Sequence, residues 1–205
     1  MNPDTSLVAA PPQTRALVLG STSRYRCELL QRLHIPFTTA APQVDETPMP
    51  GETPHDLARR LALEKARAVA RDFPLAVVIG ADQVADLNGQ SLGKPGTHER
   101  AVAQLRQMRG QTVIFQTALA VVCLDSGFEE SSLAAVRVKF RDLTDAEIEN
   151  YLRAEQPYDC AGSAKIEGFG IVLVESVHST DPTALIGLPL MQLAAMLRNE
   201  GVAVV

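Results

Sequence analysis

Leu75-Ala76-Val77-Val78-Ile79-Gly80-Ala81-Asp82-Gln83 is the stretch on which the fold turns. Its five leading apolar residues are too few for a helix and read as a strand buried on both faces. The strand is expected to end in the small polar turn Gly80 to Gln83. A carboxylate just past the end of such a strand, here Asp82, stands where open α/β sheets place their active sites. Upstream, residues 53–72 have helical spacing, with Leu57, Leu61, Lys65 and Ala68 roughly aligned. Downstream, Asn88-Gly89 is a hairpin signal, and Gly93-Lys94-Pro95 closes that segment on a stiff turn.

Further out the same alternation of types continues. Ala16 to Gly20 reads as a buried strand, Ser21-Thr22-Ser23 as a turn with a helix cap, and the helix that follows carries Leu29, Leu30 and Leu33 on one side. That layout aims unpaired backbone N–H groups at an anion. Residues 42–54 read as a loop, 97–108 as a helix, 111–124 and 132–140 as long strands joined by a hairpin. Thr144 to Glu147 is a capping box opening a helix to about Glu155. Residues 157–170 read as a Gly-dotted loop, 169–175 as a strand and 190–200 as the closing helix. This order predicts an α/β fold with a mixed sheet. Residues 1–14 lack periodicity and read as a flexible leader, with one domain over 15–205.

Composition narrows the function. The chain has 205 residues, 46% of them hydrophobic and 21% charged, as in ordinary globular proteins. A net charge of -5 argues against non-specific nucleic-acid binding, which needs a basic face. The longest apolar run, Ala118 to Leu124, is far short of a membrane span. Leu7 to Ala10 is too short for a secretory core, and Pro11-Pro12 interrupts it. Cys27, Cys123 and Cys160 form no CxxC pair, so reduced thiols and a cytoplasmic setting are expected. There is no Walker loop, GxGxxG or HExxH, and His34, His55, His98 and His178 are scattered. A His-based metal site or a Ser/His/Asp triad is therefore disfavoured.

The remaining chemistry is anionic-ligand chemistry. Arg24 and Arg26 fall in the first turn of a helix, where positive charge opposes the dipole and serves a ligand better than the helix. Asp45-Glu46 can hold a hard cation. Glu64-Lys65 in mid-helix is explained by a salt bridge alone. Basic groups on three separate segments, with Asp82 among them, suit a phosphate chain and a divalent metal.

In order along the chain, Ser21-Thr22-Ser23-Arg24-Tyr25-Arg26, Val44-Asp45-Glu46, Glu64-Lys65-Ala66, Gly80-Ala81-Asp82-Gln83, Gly93-Lys94-Pro95, Ala161-Gly162-Ser163 through Glu167-Gly168, and Gly187-Leu188-Pro189-Leu190 resemble the motifs of the Maf family of nucleotide pyrophosphatases. The resemblance covers about residues 15–200. It implies a fold similar to inosine-triphosphate pyrophosphatases: an elongated mixed sheet flanked by helices, in two lobes with a central cleft. It also implies hydrolysis of a nucleoside triphosphate to the monophosphate and pyrophosphate with Mg²⁺ or Mn²⁺, and it suggests a homodimer. Asp82 is then the catalytic carboxylate and a metal ligand, with Glu46 a second metal ligand. Ser21, Arg26, Lys65 and Lys94 would cradle the triphosphate. Three positions select the base, and Tyr25, Gln83 and Glu167 here resemble the branch acting on 7-methyl-GTP, whose first residue is usually Trp. The branch acting on dTTP and UTP has Arg, Thr and Gln instead.

The residue types agree with that branch. The cationic 7-methylguanine ring is attracted to an aromatic face. A carboxylate such as Glu167 accepts from both the ring N–H and the amine of guanine, and repels the carbonyls of uracil or thymine. Gln83 is expected to adapt as donor or acceptor. Arg24 stands where Pro is usual, and Cys27 and Cys160 read as bystander thiols. Three other readings are a dTTP/UTP or broad modified-nucleotide pyrophosphatase, a nucleotide-binding regulator of cell division, and an RNA cap-binding module.

Overall fold

The computed structural model describes residues 15–204, so the leader expected over 1–14 lies outside the described residues. Seven strands form one mixed sheet in the order β2-β1-β3-β5-β6-β7, with β4 added at β3. They are β1 (Leu17–Leu19), β2 (Thr38–Thr39), β3 (Val77–Leu87), β4 (Gln90–Leu92), β5 (Thr112–Cys123), β6 (Phe128–Phe140) and β7 (Val174–His178). The helices are α1 (Arg24–Gln31), α2 (Pro54–Asp72), α3 (His98–Met108), α4 (Asp145–Glu155) and α5 (Leu190–Asn199). β1 runs parallel to β2 and β3, and every other pairing is antiparallel.

Strand alternation sorts the core. Along β3 and β5, Val77, Ile79, Leu119 and Val121 pack under α1 and α5, whereas Val78, Val84, Ala118 and Ala120 pack under α2. Farther along the first face, Ala85, Leu87, Val113 and Phe115 join a separate cluster with α3 and α4. The long strands thus carry two separate cores on one face.

α2 lies close against β3 because both surfaces are small. Its buried stripe contains Ala58, Ala62, Ala66 and Ala70. At Gly80 a Cβ would stand 2.6 Å from the Ala66 backbone nitrogen, and closer still to the Ala62 carbonyl. The bare backbone at Gly80 is what lets the helix reach the sheet.

The hairpin expected at Asn88-Gly89 is present, with both residues at positive φ and Leu87 paired to Gln90. Three expectations need correction. β3 does not stop at Ile79: it runs through Asp82 to Leu87, so Asp82 is mid-strand. β6 begins at Phe128, four residues before the sequence pattern becomes regular. Residues 169–173 form a 3-10 turn, and strand begins only at Val174. There the Gly168 and Gly170 N–H groups both donate to the Lys165 carbonyl, winding the chain too tightly for a strand.

Candidate active site

The site forms where the edge of β3 is split. β5 covers one edge over residues 78–86. On the other edge β1 pairs only with 77–79 and β4 only with 85–87, leaving residues 80–84 without a strand neighbour. A cleft of about 760 Å³ opens there. Every residue to which the family resemblance gives a role lines it: Ser21, Tyr25 and Arg26 from α1 and its turn, Glu46, Lys65, Asp82 and Gln83, Lys94 and Glu167.

Asp82 and Gln83 are consecutive in a strand and therefore point to opposite faces. Asp82 faces α2 and is buried, and Lys65 Nζ donates to its Oδ1 at 2.7 Å. Lys65 lies on the apolar stripe of α2 with Leu57 and Leu61, and it too is buried. Its ammonium also contacts Glu46 Oε1 at 2.7 Å. Both residues of Glu64-Lys65 form salt bridges, Glu64 with Arg60 on its own helix and Lys65 with the two carboxylates of the cleft.

Glu46 comes in on the loop before α2. Burial opposes its ionisation most strongly, yet the Lys65 bond and the charges of Lys65, Lys94 and Arg26 outweigh burial and hold its carboxyl below the ordinary value. Its neighbour Asp45 is used locally, accepting the Thr47 N–H at 2.9 Å. The loop is tied down by Arg60, whose guanidinium forks onto Glu52 at 2.6 and 2.9 Å and reaches the Thr47 carbonyl at 3.1 Å. Arg60 holds the Glu52 carboxyl at about 2, against an ordinary 4.5. A depressed carboxylate stabilises the fold above its unfolded value and loses that contribution as pH falls through its folded one. Glu52→Gln is therefore expected to flatten the dependence of Tm on pH between about 4.5 and 2, as read by thermal melts.

The turn before α1 supplies the phosphate side. Ser21 is buried and its Oγ accepts from Ser23 N at 3.1 Å and from Arg26 Nη1 at 3.5 Å, while Arg26 Nε donates to the Gly187 carbonyl at 3.0 Å. Desolvation lowers the Arg26 pKa, and Asp82 and Glu46 oppose it. Lys94 is exposed at the tip of the turn after β4. That turn is clamped to the 158–163 segment by the bonds Gly96 N to Tyr158 O and Gly162 N to Gly93 O.

On the other side lie the base-reading candidates. Tyr25 has the Arg24 guanidinium 5.0 Å and Lys165 Nζ 5.8 Å from its ring centre. Partial desolvation raises the pKa of the Glu167 carboxyl although much of its surface meets water; Glu155 and Asp159 add to this, and Lys165 opposes it. Its loop is strapped by Glu155, which accepts from Lys165 Nζ at 2.6 Å and from Phe169 N at 3.0 Å. Gln83 is not the adaptable group expected. Its Nε2 donates to Thr117 Oγ1, Ala184 O and Leu185 O at 3.0, 3.1 and 2.9 Å, so the nitrogen end is committed to the protein.

Burial pushes the Cys160 thiol up to about 12, with Asp159 adding to it, which suits a bystander and not a nucleophile. Gly89-Gln90-Ser91-Leu92-Gly93 has the spacing of a hydrolase nucleophile elbow, but it spans the β3–β4 hairpin, and no histidine lines the cleft among the described residues. No group of three or more His, Cys, Asp or Glu side chains gathers as a metal site among the described residues. Glu46 and Asp82 nonetheless form a hard-oxygen pair of the kind that holds Mg²⁺ together with substrate phosphates and water. No helix among the described residues is long and apolar enough to cross a membrane.

The contacts that sequence reading misses are backbone carbonyls, Ala184, Leu185 and Gly187, and the buried Thr117. None carries a side-chain signal pointing to the cleft.

The chain is similar in sequence to known proteins. A protein of Polaromonas sp. named 7-methyl-GTP pyrophosphatase is 75% identical over 199 residues, covering 97% of this chain and 91% of its own. Proteins of the same name from Albidiferax ferrireducens and Aromatoleum aromaticum are 63% and 58% identical, covering 94% and 90% of this chain and 97% and 95% of theirs. Residues 16–200, which include every residue described above as lining the cleft, match the Maf-like protein family, and the chain belongs to it.

Proposed function

We propose that the chain hydrolyses 7-methyl-GTP to 7-methyl-GMP and pyrophosphate. The observation that carries this reading is the cleft's division. One side is an Asp82 carboxylate clamped by Lys65 amid Arg26, Lys94 and Ser21; the other presents an aromatic ring and acceptor oxygens. Its close relatives bear the name of this activity.

The triphosphate lies across the positive side. Arg26, Lys94 and the Ser21 hydroxyl hold phosphate oxygens, helped by the N–H groups opening α1. Lys65 holds Asp82 Oδ1 and leaves Oδ2 to take the proton of the attacking water. The α–β phosphoanhydride bridge breaks, water supplies the replacing oxygen, and the basic residues stabilise the charge on departing pyrophosphate. Asp82 and Glu46 would hold a divalent cation, which when bound neutralises phosphate charge and acidifies water.

The base side favours a cation that donates hydrogen bonds. Tyr25 already attracts two cations to its ring, so a methylated guanine can replace the exposed Arg24 guanidinium there. Glu167 accepts from the guanine ring N–H and amine. Pyrophosphate release from 7-methyl-GTP, GTP, UTP and dTTP with Mg²⁺ tests the reading; faster release from UTP or dTTP than from 7-methyl-GTP would refute it. Glu167→Gln is expected to cut the 7-methyl-GTP to UTP ratio of kcat/KM about tenfold to a hundredfold, the worth of a hydrogen bond to a charged group. Because its carboxyl is raised, Glu167 takes up its proton earlier than an ordinary Glu as pH falls. As pH falls, the wild-type ratio should therefore begin to decline above the ordinary Glu range, while the Gln variant stays flat.

A further inference from the structure

The geometry points to Thr117 as a positioning residue for base selection: its buried hydroxyl locks the Gln83 amide so that only the amide oxygen faces the ligand. The inference rests on the proposed base reading and adds to it a residue that never touches the nucleotide.

Thr117 lies directly opposite Gln83 in the β3–β5 ladder and has no exposed surface. Its Oγ1 donates its one proton to the Ala184 carbonyl at 2.9 Å and accepts from Gln83 Nε2 at 3.0 Å. The second amide proton lies between the Ala184 and Leu185 carbonyls, 3.1 and 2.9 Å from Nε2. Carbonyl oxygens only accept, and the hydroxyl proton is already spent. A flipped amide would place Oε1 against two carbonyl oxygens that only accept, and could take the Thr117 proton only by stripping it from the Ala184 carbonyl, so the nitrogen end is fixed inward. Oε1 takes no protein hydrogen bond among the described residues, and Gln83 lines the cleft.

The carbonyls are themselves held in place. The buried Asp181 carboxylate accepts from Thr183 N, Thr183 Oγ1 and Met191 N at 2.9, 2.7 and 2.8 Å, closing the turn that carries Ala184 and Leu185. Gln83 is therefore a preset acceptor, not an adaptable amide. With Glu167 it makes two acceptors on the base side, and these ask for a base edge rich in donors. The guanine edge has a ring N–H next to an amine. Uracil and thymine offer one N–H between two carbonyls, which both acceptors repel.

The test compares Thr117→Val, which keeps the shape and removes the hydroxyl, with Thr117→Ser, which keeps the hydroxyl. Each is assayed on 7-methyl-GTP, on 7-methyl-ITP, which lacks the amine, and on UTP. The Val variant is expected to lower the 7-methyl-GTP to UTP ratio of kcat/KM about tenfold, acting on KM more than on kcat, and the Ser variant to restore it. A merely structural role would slow all three substrates alike. A ratio unchanged in a folded Val variant overturns the lock. Should that variant not fold, the wild type decides by nitrogen-15 NMR. Slow hydrogen exchange of the Gln83 side-chain amide supports the lock, and rapid exchange of both amide protons overturns it. A wild type that prefers UTP overturns the base reading instead, and the amide exchange still reports on the lock separately.

Discussion

Asp82→Asn is expected to abolish pyrophosphate release, lowering kcat about a hundredfold to ten-thousandfold, the range assigned to a positioned general base. The substitution changes little in shape. The oxygen of the new amide can still accept from Lys65 Nζ, and Glu46 stays on the same ammonium, so the buried cation keeps one full countercharge. The fold should survive with a small loss of Tm, and nucleotide binding through Arg26, Lys94 and Ser21 should persist. Pyrophosphate release beside nucleotide binding measured calorimetrically separates the two effects. A variant retaining a tenth or more of wild-type release would remove Asp82 from the reaction. The same variant separates an enzyme from a regulator of cell division: a regulator working by binding alone keeps its cellular effect when the Asp82 carboxylate is gone.

The second large effect is on stability. Gly80→Ala drives a methyl group into the Ala62 and Ala66 backbone of α2, where atoms that cannot turn aside stand within 2.6 Å. Overpacking of this kind costs about 1–3 kcal/mol, and rigid backbone on the receiving side puts this site at the upper end. For a chain of this size about 3 kcal/mol lowers Tm by roughly 6–12 °C. α2 must move off the sheet, and it carries Lys65, so the Lys65–Asp82 bond lengthens and activity falls with stability. Calorimetry and pyrophosphate release on one preparation check both; a Tm within about 2 °C of wild type would mean that the helix yields freely.

Gly80 also explains why sequence reading stops β3 too early. Gly and Asp are poor strand residues, so Gly80-Ala81-Asp82 reads as a turn after Ile79. In the fold Gly80 is required for the close approach of α2, and Lys65 neutralises Asp82. Both reasons lie upstream in α2, where no local pattern records them. The same holds at Phe169 to Val174, where an apolar run resembles a strand but two glycines wind the backbone around the Lys165 carbonyl. Long amphipathic segments such as α2 and α3 were legible because their periodicity sums over many residues. The site residues were legible as a set of short motifs in order. That they share one cleft, and that Gln83 turns its nitrogen away from it, depends on carbonyls at 184, 185 and 187 that leave no mark on side-chain chemistry.

The opposite orientations of Asp82 and Gln83 have a consequence for descent. A scaffold whose reacting group and selecting group hang from opposite sides of one strand can alter its diet without relearning its chemistry. Exchanges on the Gln83 side, among Thr117, the 184–185 turn and Glu167, leave the clamp of Asp82 on α2 untouched. A change in which base the cleft accepts can therefore come from a few substitutions that leave the Lys65–Asp82 pair in place.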